Sequence, residues 1–239
     1  MALSHSPKIV TDGLVLCLDA GDGKSYSGSG TTWTDRSGNA NDLSWSSPAP
    51  TFTTYNDVSV ISTNPTYTSL RAVRSTTYNG MRTGNGPFTV FSFFRPNQTT
   101  SSKILISFGP ADNNCGGKSV HPIAIGSNGK FVGGSCGGNG TWSSSVGATP
   151  TTDKFWNVCT TYDGTTEKVY VNSSLEKSST SLNSNTPVSV NNAISLGWIR
   201  DDGASYSMDA SIGNVLIYNK ALTASEVLQN YNATKGRFS

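Results

Sequence analysis

Residues Phe155–Asn172 read FWNVCTTYDGTTEKVYVN. Two runs rich in β-branched and aromatic residues, Phe155–Tyr162 and Glu167–Asn172, flank a turn that contains Asp163-Gly164. Short runs of this composition form strands, and an Asp-Gly turn between them favours an antiparallel hairpin. The stretch therefore predicts two neighbouring antiparallel strands and indicates an all-β fold.

Further strand-like stretches lie on both sides of this hairpin. Phe88–Arg95 (FTVFSFFR) is apolar at odd and even positions, which predicts a central strand covered on both faces. Many short strands separated by turns are typical of a two-sheet antiparallel β-sandwich. The other predicted strands are Gly13–Asp19 (Leu14, Leu16 and Leu18 on one face), Lys103–Phe108 (Ile104, Ile106 and Phe108 on one face), Ile123–Ile125 and Lys130–Val132 joined by Asn128-Gly129, Ala193–Ile199 and Ile212–Tyr218.

One short helix is predicted at the C-terminus. Thr223 and Glu226 have the spacing of a capping box, in which a hydroxyl and a carboxylate satisfy backbone N–H groups at the start of a helix. Gly236 supplies a stop signal. We expect the helix to pack against an edge or end of a sheet through its apolar positions, which are Leu222, Val227, Leu228 and Tyr231.

The composition excludes several classes of function. Charged residues make up 13% of the 239 residues, the formal net charge is +2 and no run of Lys or Arg occurs, so no nucleic-acid-binding surface is expected. No apolar stretch of about 18 residues predicts a membrane-spanning helix. The first residues, MALSHSPKIVTDG, lack the apolar core of a signal peptide, so we expect assembly in a cytoplasm and exit by another route, such as lysis.

The chain is expected to form one domain. A β-sandwich of this length commonly folds as a single unit, and no linker or internal repeat interrupts residues 13–239. Residues 1–12 are interpreted as an N-terminal arm that could dock on a neighbouring molecule. The most loop-like stretch is Ser173–Asn192.

Two segments carry a more specific pattern. Thr11–Asn41 contains LDAG, WTD and SGN, and Ala210–Phe238 contains IYNKALTASEVLQNY. With the central hairpin, they resemble the concanavalin A-like, laminin G-like jelly-roll domains of structural proteins from tailed bacteriophages, particularly cyanophages. The resemblance implies two sheets packed face to face and a virion component. The chain departs from the family pattern where Ser173-Ser174 and Asp42-Leu43 stand in place of a usual glycine.

The same superfold hosts glucan-cleaving enzymes, which we weigh against a binding role. Retaining glycosidases need two carboxyl groups about 5 Å apart. The three glutamates, Glu167, Glu176 and Glu226, are not spaced to share a cleft, and Glu226 is assigned to the helix cap. The two histidines, His5 and His121, are interpreted as terminal, turn or surface residues rather than as the base of a triad. We therefore expect no catalytic activity.

A polar loop around Gly38 is a candidate calcium site. Asp35, Asn39 and Asp42 place oxygen-bearing side chains at short intervals, as hard cations require. Calcium at a sheet rim is also implied by the family resemblance. The alternative is that these side chains form turns with their own backbone.

Sugar binding requires an exposed aromatic ring together with polar groups for hydroxyls. Trp142 lies in a Gly/Ser-rich loop with Asn139 nearby, and Trp33 lies in the WTD loop. These three are the candidate glycan-binding residues, whereas Trp156 and Trp198 fall in strand patterns and are expected in the core. Trp142 could instead anchor its loop or contact a neighbouring subunit.

Four cysteines occur in two kinds of context. Cys17 and Cys159 lie in apolar strand patterns and are interpreted as buried thiols. Cys115 and Cys136 lie in Gly-rich loops that flank a predicted hairpin, so a disulfide could join them, although cytoplasmic assembly keeps thiols reduced. No paired C-x-x-C motif predicts zinc.

The sequence thus favours a non-enzymatic structural or accessory virion protein of a tailed bacteriophage, such as a head decoration or a tail- or fibre-associated protein. Its expected partners are other virion proteins, copies of itself and host cell-surface glycans. The alternative is a lectin-like adhesin for host glycans. A glycoside hydrolase is the third hypothesis, and the spacing of the glutamates argues against it. Calcium is the one cofactor that the sequence suggests.

Overall fold

The structure is a computed structural model that describes residues 8–45, 50–63, 72–73, 80, 86–99, 102–109, 119–133, 135–136, 144–145, 148–180, 193–197 and 207–239. For 72–73, 108–109, 119, 135–136, 144–145 and 193, only the backbone is considered. Within these ranges, no helix has the length and apolar character needed to cross a bilayer.

The strands form two antiparallel sheets, as the hairpin and turn patterns predicted. Sheet I follows the order β15-β14-β13-β7-β17-β5-β4, and β1 also pairs with β17. Its strands are β1 (Leu14–Asp19), β4 (Thr51–Tyr55), β5 (Val58–Ser62), β7 (Phe88–Pro96), β13 (Trp156–Tyr162), β14 (Glu167–Val171), β15 (Ser174–Ser179) and β17 (Ala210–Tyr218).

Sheet II follows the order β12-β10-β9-β8-β16-β6-β3-β2, and β11 also pairs with β9. Its strands are β2 (Thr32–Trp33), β3 (Leu43–Trp45), β6 (Ala72–Val73), β8 (Lys103–Gly109), β9 (Ser119–Ile125), β10 (Phe131–Gly133), β11 (Ser135–Cys136), β12 (Ser144–Ser145) and β16 (Ala193–Leu196). Asn128-Gly129 joins β9 to β10, and Gly129 has a φ of +72°, which confirms that predicted hairpin.

The main core lies between the two sheets. It contains Leu16, Val90 and Phe94 from sheet I together with Ile106 and Phe131 from sheet II, all buried. The alternating side chains of β7 point the other way, because Phe91 and Phe93 belong to a second buried cluster. Phe88–Arg95 is therefore a central strand covered on both faces, as predicted.

The second cluster is covered by helix α1 (Ala224–Thr234), by a 3₁₀ turn at Lys235–Arg237 and by the start of the chain. The predicted capping box is present: Thr223 accepts the Glu226 N–H through its hydroxyl, and the Glu226 carboxylate accepts the Thr223 N–H. Val227 is buried, whereas Leu228 is 47% exposed and does not belong to the packed face. The prediction for Leu228 was wrong, because the face of the helix that is fully buried consists of Val227 and Asn230.

Residues 8–12 pack with this helix. Val10 is buried, its N–H donates to Asn230 Oδ1 (2.8 Å), and its carbonyl accepts the Tyr218 hydroxyl (3.0 Å). Lys220 forms ion pairs with Asp12 (2.6 Å) and Glu226 (2.8 Å). The part of the predicted arm from residue 8 onward is thus attached to the domain.

The sequence analysis placed Leu14 and Ile104 on the same strand faces as their neighbours, and β-bulges make both assignments wrong. The register between β1 and β17 shifts between Leu14 and Leu16, so Val15 is the extra residue. Leu14 consequently packs with the outer cluster, whereas Leu16 and Leu18 face the main core. A shift between Ile104 and Ile106 separates Ile104 from the main core in the same way.

The Ser173–Asn192 stretch begins with a strand, not a loop. Ser174–Ser179 forms β15, which pairs with β14 along the edge of sheet I. The connecting residues Asn172 and Ser173 have φ values of +49° and +66°, as in the two-residue turns that usually contain glycine. The loop prediction failed because Ser173 adopts this conformation without being glycine.

Gly213 provides room for the C-terminal aromatic side chain. It lies at a register shift of β17 against β7, and a Cβ atom there would overlap the Phe238 ring, with Cζ at 2.7 Å. The Phe238 ring stacks on Phe93 with centroids 4.4 Å apart. The absence of a side chain at residue 213 therefore lets the chain end cover the sheet.

Gly213→Ala is expected to lower the free energy of unfolding by about 1–3 kcal/mol, the usual cost of overpacking. The measurement is urea unfolding of the single variants and of the double variant with Phe238→Ala. Because the clash requires both groups, Gly213→Ala should cost much less in the Phe238→Ala background. Gly236→Ala, whose added methyl meets nothing within 4 Å, is the control. Equal costs in both backgrounds would contradict this account.

Candidate functional site

Two partly exposed aromatic rings meet on the outer side of sheet I. Tyr55 ends β4 and Phe155 immediately precedes β13; their ring centroids lie 5.9 Å apart at an angle of 72°. Phe155 also contacts Phe238, with centroids 5.3 Å apart. We call Tyr55 and Phe155 the aromatic platform. Partly exposed rings of this kind offer apolar contact area that a ligand can cover.

Polar and cationic groups surround the platform. The Arg95 guanidinium lies 4.0 Å from the centre of the Tyr55 ring and donates to the Thr152 carbonyl (2.7 Å). The Tyr55 hydroxyl donates to the Asp153 carbonyl (3.1 Å). These contacts fix the Tyr55 ring from two sides, so the platform is held in place before any ligand arrives.

Lys154, next along this turn, places its ammonium 4.3 Å from the centre of the Trp156 ring. Trp156 is nearly buried and belongs to the main core, as the sequence predicted, and its Nε1 donates to the Thr151 carbonyl (3.2 Å). The turn before β13 therefore carries a cation that contacts Trp156, and this tryptophan anchors the turn to the core.

A cavity of about 250 Å³ adjoins the platform. It is lined by Gly21, Asp57, Val58, Ser59 and Arg237. Val58 is the cross-strand partner of Tyr55, and Arg237 precedes Phe238, so the cavity and the platform share neighbouring residues. The Asn56-Asp57 turn, with φ values of +49° and +63°, forms one wall of the cavity.

The polar loop after β2 is held by hydrogen bonds to its own backbone and to β1. Asp35 Oδ1 accepts the N–H groups of Cys17 and Ser37, both at 2.8 Å, and Oδ2 accepts the Ser37 hydroxyl (2.7 Å) and the Asn41 N–H (3.0 Å). Asp42 Oδ1 accepts the Asp35 N–H (2.8 Å). Four donors thus face the Asp35 carboxylate.

Asn39 directs its amide N–H groups to the Leu14 carbonyl (3.1 Å) and to Ser37 Oγ (3.0 Å). A calcium ion at this loop would have to displace the donors that already face Asp35. No group of three or more His, Cys, Asp or Glu side chains could hold a metal ion in the part of the chain that the structure describes. The geometry of Asp35, Asn39 and Asp42 therefore favours the turn interpretation over the calcium prediction.

A family model described as the concanavalin A-like lectin/glucanases superfamily matches residues 67–228. The chain belongs to this superfamily. Its two packed antiparallel sheets and single short C-terminal helix fit that assignment, so the predicted fold is confirmed. The resemblance to phage structural proteins is a finer statement that this match does not address. No curated protein sequence matches the chain.

Solved structures share the concanavalin A-like fold at low sequence identity. Domain 4 of AbnA, a GH43 extracellular arabinanase from Geobacillus stearothermophilus, in complex with arabinotriose, superposes with a TM-score of 0.69 at 18% identity, covering 92% of this chain and 98% of that one. Trypanosoma rangeli sialidase superposes with a TM-score of 0.67 at 16% sequence identity, and the match covers 100% of this chain and 36% of the sialidase chain. The binding domain of Paraclostridial Mosquitocidal Protein 1 superposes with a TM-score of 0.61 at 16% sequence identity. This match covers 93% of this chain and 52% of that one. This chain thus spans about a third of the sialidase and about half of the binding domain of the mosquitocidal protein.

Trp33 is a core residue in this concanavalin A-like domain. Its side chain is fully buried and stacks on Trp45, with ring centroids 6.1 Å apart at 20°. The prediction that Trp33 contacts a glycan was wrong, because pairing of β2 with β3 turns both tryptophans inward.

Several predicted site residues lie outside the described part of the domain. Trp142 and Asn139 fall between β11 and β12, and Cys115 falls between β8 and β9, in ranges that the structure does not describe. Cys136 is described only as backbone in β11. The glycan contact at Trp142 and Asn139 and the disulfide between Cys115 and Cys136 remain predictions.

The three glutamates are separated in the domain. Glu167 is buried in β14, Glu226 is bound to Lys220 and the helix cap, and Glu176 is exposed in β15. Glu167 is registered against Ser179, three residues beyond Glu176. The fold therefore brings no two glutamates together as a glycosidase pair would require.

Burial inactivates the two described thiols as nucleophiles. Cys159 is buried, in agreement with the sequence interpretation, whereas Cys17 is only partly buried. Burial raises the pKa of Cys17 to about 12 and raises that of Cys159 as well. Since the thiolate is the reactive form, neither thiol is a nucleophile near neutral pH.

The sequence interpretation missed the platform and the cavity. Tyr55, Arg95 and Phe155 are 40 and 60 residues apart, and only the folded chain brings their side chains into contact. The alternating TFTTYND stretch, residues 51–57, was the available signal, because it predicts a short strand that ends in an aromatic residue and a turn.

Proposed function

We propose that this chain is a non-catalytic carbohydrate-binding domain. The observation that carries the proposal is the aromatic platform of Tyr55 and Phe155, fixed by Arg95 and bordered by a cavity with polar and apolar lining residues. Sugar recognition combines contact of a ring face with an aromatic side chain and hydrogen bonds to hydroxyl groups. The platform supplies the first and the cavity lining supplies the second.

Two further observations support a binding role. The three glutamates lie apart in the fold, so no two of them form the carboxyl pair of a retaining glycosidase. Domain 4 of AbnA, which covers nearly the same length of chain, was solved in complex with arabinotriose, and the mosquitocidal protein segment is a binding domain. An oligosaccharide of neutral sugars is accordingly the first ligand to test.

Tyr55→Ala is expected to weaken oligosaccharide binding about tenfold or more, because an aromatic contact of this size is worth roughly 1.5–3 kcal/mol. The measurement is isothermal titration calorimetry with the ligand selected from a glycan array, which includes arabino-oligosaccharides. Tyr231→Ala is the matched control: Tyr231 is also partly buried on the outer side of sheet I, but it stacks on Phe93 instead.

Absence of binding to every glycan on the array would overturn the proposal, and so would equal loss of affinity in both tyrosine variants. An assay for released reducing ends tests the non-catalytic part. We expect no hydrolysis of any oligosaccharide that binds, and turnover that survives Tyr55→Ala would contradict that expectation.

We further propose a tailed-bacteriophage virion as the setting of this domain, with other virion proteins or copies of itself as partners. This proposal rests on the resemblance of Thr11–Asn41 and Ala210–Phe238 to phage structural proteins. The two segments pack together through β1 and β17 and through the Arg237–Asp19 ion pair (2.8 Å). Immunogold labelling of purified particles is the test: label on head or tail supports the proposal, and unlabelled particles overturn it.

A further inference from the structure

The cavity beside the platform has a mixed polar and apolar lining. At about 250 Å³, it is slightly smaller than the roughly 300–1,000 Å³ pockets that enclose drug-sized ligands, so it suits one ring-sized group. Val58 gives it an apolar wall that continues into the outer cluster of sheet I. Asp57, Ser59 and Arg237 bring a carboxylate, a hydroxyl and a guanidinium to the same space.

Arg237 is held in position at this cavity. Its Nη1 donates to Asp19 Oδ1 (2.8 Å), and its guanidinium lies 5.0 Å from the centre of the Phe238 ring. A guanidinium has five N–H donors, and this hydrogen bond uses one of them. Gly21 makes the position accessible, because a Cβ atom there would lie 2.7 Å from Nη1.

Asp57 lies in the turn between β4 and β5. Both φ values of the Asn56-Asp57 turn are positive, and asparagine and aspartate are among the residues that adopt this conformation. Asp57 also lines the cavity together with Arg237, so the residues around it include a carboxylate acceptor and a guanidinium donor.

The paired charges select the class of ligand. An anionic group in the cavity would be attracted by Arg237 but repelled by Asp57. A cationic group would be attracted by Asp57 but repelled by Arg237. A neutral group with neighbouring hydroxyls satisfies both, because one hydroxyl can donate to the carboxylate while the next accepts from the guanidinium. An apolar ring face would then lie against Val58.

We propose that this cavity binds a single neutral sugar ring through a pair of adjacent hydroxyl groups, with Asp57 as acceptor and Arg237 as donor. The inference rests on the proposed carbohydrate-binding function and adds to it a subsite next to the platform. An oligosaccharide can then contact the platform with one unit and the cavity with another.

The test is a titration of the ¹⁵N-labelled protein with D-glucose, D-galactose, D-mannose, L-arabinose and D-galacturonate, followed by amide chemical shifts. At least one neutral sugar is expected to shift the amide signals of Gly21, Val58 and Ser59, and galacturonate is expected to bind more weakly than D-galactose. Asp57→Asn, which suits the turn, should weaken the neutral sugar about tenfold. Glu176→Gln, an exposed carboxylate in β15, is the control that should change nothing.

Three results would overturn the inference: no shift at these amides, tighter binding of galacturonate, or unchanged affinity in Asp57→Asn. The same variants separate this inference from the proposed function. If Asp57→Asn binds the oligosaccharide as the unmodified protein does while Tyr55→Ala does not, the cavity assignment fails and the carbohydrate-binding function stands. If no oligosaccharide binds, the function fails as well.

Discussion

Trp33→Ala is expected to lower the free energy of unfolding by about 3–5 kcal/mol, the usual cost of truncating a buried tryptophan to alanine. Trp33 is fully buried between the sheets and stacks on Trp45, so its removal leaves a cavity in the main core. The measurement is equilibrium unfolding in urea, followed by far-UV circular dichroism. A change below about 1 kcal/mol would contradict the burial of Trp33 in the main core.

Trp33→Phe is the matched control. The indole Nε1 of Trp33 is buried without a hydrogen-bond partner among the described residues, so phenylalanine removes a costly polar group while it keeps most of the ring. We expect a cost well below that of alanine. Under conditions in which both variants are folded, they should bind oligosaccharide with the affinity of the unmodified protein, because the Trp33 side chain is fully buried.

Acidification is expected to destabilise the domain between pH 6.5 and about 4 through His121. Burial lowers the pKa of His121 from its ordinary value of 6.5 to about 4. The folded state thus binds this proton more weakly than the unfolded chain does. The stabilisation from His121 is complete above pH 6.5 and is lost as pH falls towards 4, at about 1.4 kcal/mol per pH unit and about 3 kcal/mol in total.

Urea unfolding at half-unit pH steps measures this dependence. His121→Gln removes the titrating group, so the variant should lose stability only below about pH 5, where carboxylates begin to titrate. An identical profile in the variant and the unmodified protein would show that His121 is not the source. The interpretation of His121 as a turn or surface residue was wrong: it lies buried within β9, because the strand extends on both sides of it.

Local chemistry predicted most of the strands and the helix. The Asp163-Gly164 and Asn128-Gly129 turns and the Thr223–Glu226 capping box specify their structures through nearby backbone groups, so sequence alone identifies them. Side-chain faces were harder to predict, because one extra residue at Val15 reverses the alternation and nothing local marks it. β15 was missed because its turn, at Asn172 and Ser173, contains no glycine.

The candidate site depended on long-range geometry. The platform requires the ends of β4, β7 and β13 to meet, and the cavity requires the β4–β5 turn to meet the chain end at Arg237. In the loop that contains WTD and SGN, the Asp35 carboxylate accepts the backbone N–H groups of Cys17 in β1 and of Asn41. The sequence pattern does not show that these donors face the carboxylate, and the calcium site at this loop stays a prediction.

The position of β17 in sheet I has a consequence for biosynthesis. This strand, Ala210–Tyr218, contacts β7 along one side and β1 and β5 along the other, so a strand that comes late in the domain joins strands that come early. A nascent chain that stops before Ala210 has no central partner for these strands. We therefore expect the domain to fold only once β17 has emerged from the ribosome. A ribosome-bound chain stalled at residue 209 should remain sensitive to protease.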